Sequence, residues 1–198
     1  MDDDFISFAL HEVRRGLAEA VVAAGLHLKP DTLAQAAARR VKARMKELEI
    51  ILRRLIVLIA LSLTLAPAKP RAPKPKDAEA EPVLTKSQPL WNFALAGETV
   101  VCSLDGPAFP GIAGHVSGPA PAAPLLRRFD ALARILRAPE RYARRVARVL
   151  ERRRRAGEAL PICQPSTGTH RLRPELGAIA TGLPAMLAAA FQRWNDSG

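Results

Sequence analysis

Residues 53–76 read RRLIVLIALSLTLAPAKPRAPKPK, and where this stretch is placed decides the fold of the chain. Arg53 and Arg54 lead into the uncharged run 55–66, and a proline and lysine run follows. The run holds twelve residues, about 18 Å of helix against a hydrocarbon core of about 30 Å. It is too short to span a bilayer alone. Extending it back to Leu48 reaches the needed length at a mean hydropathy of about +2, but takes in Glu49, Arg53 and Arg54. Arginines a turn from the centre of a span can snorkel only at some cost. Two readings follow for residues 48–66: the enclosed end of a helix in a protein core, or a monotopic or single-pass membrane segment. Both rest on Leu55, Ile56, Val57, Leu58, Ile59, Leu61, Leu63 and Leu65.

Charge placement favours the protein core. Seven Lys and Arg lie between Arg39 and Arg54, against Lys69, Arg71, Lys74 and Lys76 on the far side. The positive-inside bias would keep the N-terminal flank in the cytoplasm and carry the basic C-terminal region across.

Working upstream, Val41, Met45, Leu48, Leu52, Leu55, Ile59 and Ser62 or Leu63 form a heptad-like stripe. It predicts one helix over 32–66, about 50 Å long, opened by a Thr32–Gln35 capping box. Arg39, Arg40, Lys42, Arg44, Lys46, Glu47 and Glu49 are assigned to its other faces. Before it, Ile6, Leu10, Val13, Leu17, Val21 and Ala24 predict an amphipathic helix over 4–24 that stops at Gly25. The short connector HLKPD predicts an antiparallel return. Residues 1–66 thus read as a helical hairpin with one long, partly all-apolar helix.

Downstream, residues 67–89 hold six prolines and alternating charge, the composition of an extended linker. WNFALAGETVVCSL carries a weak hairpin signal around Gly97, and the whole of 67–124 is read as linker and irregular or short-hairpin chain. From Leu125 the helical pattern resumes: Leu125, Leu126, Phe129, Leu132, Ile135 and Leu136 share a face. Pro139 is placed as the first residue of a second helix over 139–156 that ends at Gly157. An Ala-rich helix over 174–194, kinked at Gly182–Pro184, completes a C-terminal helical bundle over 125–198. Aromatics make up only 5% of the chain, which also favours helices over sheets, so the fold class is mostly α.

The net charge of +11 is concentrated. Residues 125–157 carry twelve Arg against Asp130, Glu140 and Glu151, a net +9, which leaves +2 for the rest. At 100° per residue, Arg141, Arg144, Arg145, Arg148, Arg152 and Arg155 fall within an arc of about 100°, along a ridge about 20 Å long. Guanidinium forks match carboxylate and phosphate geometry, so an acidic protein, a phosphate backbone or lipid headgroups are the expected partners. The competing reading is an ordinary solvated helix face, with Glu140–Arg144 and Glu151–Arg155 as i,i+4 pairs.

Signals for catalysis are poor. Cys102 and Cys163 form no CxxC, and His11, His27, His115 and His170 show no ligand spacing, so neither metal nor cofactor is expected. No phosphate-cradling glycine loop occurs. A helix-turn-helix over 125–156 lacks the turn glycine and any Asn, Gln or Ser among the arginines to read base edges, so DNA binding would be non-specific. The sequence reads as a non-enzymatic α-helical interaction protein. A membrane-attached helical protein is the first alternative, and a non-specific nucleic-acid binder the second. The acidic start MDDDF is unlike a secretory signal, which predicts an unsecreted, cytoplasmic chain, with inner-membrane association as the variant.

Overall fold

The apolar stripe around Arg53 folds as the central helix of a bundle. A computed structural model describes residues 3–64, 118–157 and 172–196. The linker and hairpin expectations up to residue 117, and Leu65, Cys102, His115, Cys163 and His170, lie outside these residues.

Among the described residues there are five helices and one minimal strand pair. They are α1 (Asp3–Ala23), β1 (Thr32–Leu33), α2 (Gln35–Ser62), β2 (Ala120–Pro121), α3 (Ala123–Arg137), α4 (Pro139–Arg155) and α5 (Pro174–Asp196). The fold is mostly α. α1 buries Ile6, Ala9, Val13, Leu17 and Val21, the helical-period stripe of its sequence. It stops where Gly25 takes the left-handed conformation, φ 66°, which a residue without Cβ adopts freely. A short 3-10 turn, Leu26–Leu28, then leads to β1.

α2 differs from the predicted helix at both ends. Thr32 does not cap it: Thr32 pairs with Pro121 and Leu33 with Ala120 in the antiparallel β1–β2 contact, and the Ala122 amide donates to the Asp31 carbonyl at 2.9 Å. That extended pairing holds the chain out of helix until Gln35, with Ala34 at the N-cap and no side-chain cap. At the other end Leu63 turns extended (φ −82°, ψ 125°), and the Ser62 hydroxyl donates to the Ile59 carbonyl at 2.8 Å. The helix is therefore 28 residues, about 42 Å, instead of the expected 50.

α1, α3, α4 and α5 all pack on α2, so the described helices before and after residues 65–117 share one core. The pattern of burial along α2 explains its sequence. Its first half buries a single stripe, Ala38, Val41, Met45 and Leu48, and exposes Arg39, Arg40, Lys42 and Lys46. Beyond Leu48 burial reaches round more of the helix: Ile51, Leu52, Leu55, Ile56, Leu58, Ile59 and Ala60 are buried, while Ile50 stays exposed. Each such Leu or Ile, taken from water, contributes about 1.5–3 kcal/mol. Gly16 marks the tightest crossing. A Cβ there would come within 3.0 Å of Leu176 Cδ1 and 3.1 Å of Leu48 Cδ2, so glycine lets α1, α2 and α5 meet.

The assignment of Glu49 to a face away from the apolar stripe is corrected by the same packing, which buries it. Its side chain is 6% exposed and is gripped by Arg53 from its own helix and Arg128 from α3. Arg128 donates from both Nε, at 3.1 Å, and Nη2 to Glu49 Oε2. A buried carboxylate demands such pairing, because an isolated charge inside the core would be prohibitively costly.

Candidate arginine face on α4

α4 starts at Pro139, whose ring pre-sets the helical φ and whose missing N–H costs nothing in a first turn. Glu140 sits in that turn and Arg152, Arg153, Arg154 and Arg155 in the last, each sign matched to its end of the helix dipole. Ala143, Val146, Ala147 and Leu150 are buried against the bundle, and Tyr142 and Val149 are half-buried at the edge of that face. Gly157, at φ 66°, closes the helix.

With one side fixed in the core, the opposite side carries the arginines. Arg141, Arg144, Arg145, Arg148, Arg152 and Arg155 are all exposed. Arg144 pairs with Glu140 at 3.2 Å and Arg155 with Glu151 at 3.0 Å. The Arg145 guanidinium lies 5.9 Å from the centre of the Tyr142 ring. Arg141, Arg148 and Arg152 have no ion pair or ring contact among the described residues. The Glu140–Arg144 pair lies in solvent and is weak, so an incoming anion can displace it, whereas Glu151 is half-buried and is also held by Arg154 at 2.9 Å. Burial pushes the Glu151 carboxyl up, but hydrogen bonds from Arg155 and Arg154 outweigh it and hold the group below the ordinary carboxylate range. Glu151 therefore stays ionised at neutral pH, and its pairing is lost only as pH falls through that lowered value.

At the N-terminal end of α4 the arginines edge an open depression of about 550 Å³. Arg137, Arg141, Arg144, Arg145 and Arg148 line it together with Ala138 and Pro139, and Glu140 is its one acid. Its surface is therefore strongly cationic and offers no neutral polar group to orient a small ligand.

Other arginines serve the fold. Arg154 stacks on Trp194 at 4.6 Å and donates to the Trp194 carbonyl at 3.3 Å, which ties α4 to α5. Arg173, ahead of α5, reaches Glu19 at 2.9 Å, Glu175 at 3.4 Å and the buried Glu12 at 3.6 Å. Of Glu175, its own backbone hydrogen bond and the nearby Arg173 keep the carboxyl below the ordinary range against the opposing effect of burial. Arg14 of α1 donates to the Leu136 carbonyl at the end of α3, 3.1 Å away.

The apolar candidates lie elsewhere, inside the bundle. Leu55, Ile56, Leu58 and Ile59 are buried in the core, and Val57, Leu61 and Leu63 are half-buried against it. A smaller hollow of about 270 Å³ lies between α1 and α2, lined mainly by alanines with Glu19, Arg40 and Arg44 at its edge. Among the described residues no group of three His, Cys, Asp or Glu is placed to hold a metal ion.

No family model, curated protein or solved structure matches this chain. The arginine face therefore has to be interpreted from its own chemistry. Reading the sequence missed the Glu49–Arg128 pair and the Arg173 cluster. The first had a signal: Met45, Glu49, Leu52 and Ile56 recur at spacings of four, three and four, a second stripe that places Glu49 toward the core. The Arg173 contacts, more than 150 residues from Glu12 and Glu19 in the chain, had none.

Proposed function

We propose that this is a non-enzymatic, cytoplasmic α-helical interaction protein that binds an anionic partner along the outer face of α4. One observation supports the reading above all: six exposed arginines project from a helix whose other side is locked into the core. Three of them, Arg141, Arg148 and Arg152, are unpaired among the described residues. Ordinary solvated faces mix signs, and here only Glu140 and Glu151 interrupt the arginines. A rigid support also matters, because charges held in place lose less freedom on binding than charges on a free chain.

The test is retention on phosphocellulose in a salt gradient. The variant Arg144→Glu, Arg148→Glu, Arg152→Glu should elute at clearly lower salt than the wild type. A charge-matched variant on α2, Arg39→Glu, Lys42→Glu, Lys46→Glu, should shift less. Equal shifts for the two variants, or unaltered retention of the first, would overturn the reading.

A second reading, attachment to a membrane, has one observation in its favour. α5 spans 23 residues, and its apolar window has mean hydropathy 1.3, enough in length and composition to cross a bilayer. Against it, α5 presents Leu176, Ile179, Leu183, Leu187 and Phe191 to the bundle core, which covers 39% of that window.

A further inference from the structure

We infer that the partner of the α4 face is duplex nucleic acid, held through its phosphates without reading sequence. This inference rests on the anion-binding reading above and assigns its ligand class.

The arginines form one band. At 100° per residue, Arg144, Arg155, Arg148, Arg141, Arg152 and Arg145 follow one another across a single arc of about 100°. A helix with its side chains is about 10–12 Å across, close to the roughly 12 Å width of a B-form major groove. In that setting the band faces the duplex, and its long guanidinium arms can reach the phosphates along the groove. The ridge extends from residue 141 to residue 155, about 21 Å. Over that length a duplex presents about a dozen phosphates on its two strands, at one charge per about 1.7 Å. Six arginines can neutralise about half of them.

Two other partner classes fit less well. An anionic membrane surface is gripped most firmly by helices that also insert apolar side chains. The apolar side of α4 is sealed in the core, and the large hydrophobic side chains exposed among the described residues (Phe8, Val22, Leu28 and Ile50) belong to other segments. An acidic protein would meet a face without the apolar, aromatic centre that protein interfaces require, since Tyr142 is half-buried at the margin. Protein–nucleic acid interfaces are instead polar and strongly positive. The arginine face has no Asn or Gln to pair with adenine, and a band of like guanidinium groups suits the phosphates that every duplex shares. The open depression beside Arg137 gives the passing backbone a cationic seat, and the continuation of the exposed arginines beyond it to Arg152 and Arg155 favours a polymer over a compact phosphate.

The experiment is fluorescence anisotropy of the full chain with labelled duplexes of two unrelated sequences, between 50 and 200 mM salt. Six phosphate contacts predict a log–log salt slope near −5, or about a thousandfold weakening across that range, the same for both sequences. Arg141→Ala, Arg148→Ala, Arg152→Ala should lower the slope by about 2.7, which leaves about fortyfold weakening. All three positions are exposed, and an unchanged circular dichroism melt would show that the variant still folds. No duplex binding by a protein whose phosphocellulose retention still depends on the ridge would overturn this inference and leave the anion-binding reading intact. So would binding to vesicles of anionic phospholipid without binding to duplex. A salt slope untouched by the triple variant, or a strong preference for one duplex, would also overturn it.

Discussion

Glu49 is where a single residue reports most about this fold. It sits beside Leu48 on the central helix, with its carboxylate buried between Arg53 and Arg128. Breaking a buried pair leaves a stranded charge and costs about 3–5 kcal/mol, and the lower end applies here because Arg53 keeps contact with water. Glu49→Ala should therefore lower the stability measured by urea unfolding by about 3 kcal/mol, while Glu49→Leu combined with Arg128→Leu recovers most of the loss. Similar losses in both variants would mean the side-chain volume matters and the pair does not. At this scale the sequence was partly legible. The i,i+4 relation of Glu49 and Arg53 is written in the helix, but Arg128 is 79 residues away and joins only when α3 docks. Thr32 teaches the opposite lesson. Its capping signature is real chemistry, overridden because β1 pairs with β2, a contact across 88 residues that no local pattern encodes.

For α2 as an element, the stripe, the loss of polar faces after Arg54 and the stop before the proline run were all present in the sequence. Its surroundings were not, because an all-apolar helical end looks alike whether protein or lipid covers it. The structure distinguishes its positions by depth. Leu55 is fully buried, whereas Val57 lies at the margin of the core. Leu55→Ala should accordingly cost about 2–5 kcal/mol through lost contacts and the cavity left behind. Val57→Ala should cost less than half of that in the same denaturant titration. Equal costs would contradict the packing of this helix. For α4, the face pattern of the arginines was legible from periodicity alone. What periodicity cannot supply is the support: Val146 and Leu150 are held against the bundle, and the Arg154–Trp194 contact pins the end of the helix to α5.

The molecule as a whole is organised around α2, and this sets how its charge is presented. α1, α3, α4 and α5 enclose the apolar half of α2, and because α4 gives its apolar side to that core its arginines have only one direction left. The sequence showed a concentrated positive charge and a mostly helical chain, but the joining of the helices into one core depends on contacts between residues far apart in the chain. The ridge is a rigid, outward-facing feature only if the bundle exists as a unit. Were the end of α2 or the length of α5 set in lipid, α4 would lose its floor and the arginine face its geometry. Carbonate extraction of membranes from cells expressing the full chain tests this most directly. The account predicts that the protein is released into the supernatant and then unfolds cooperatively without detergent. Retention in the washed membranes, lost when Leu58 is changed to Arg, would contradict it.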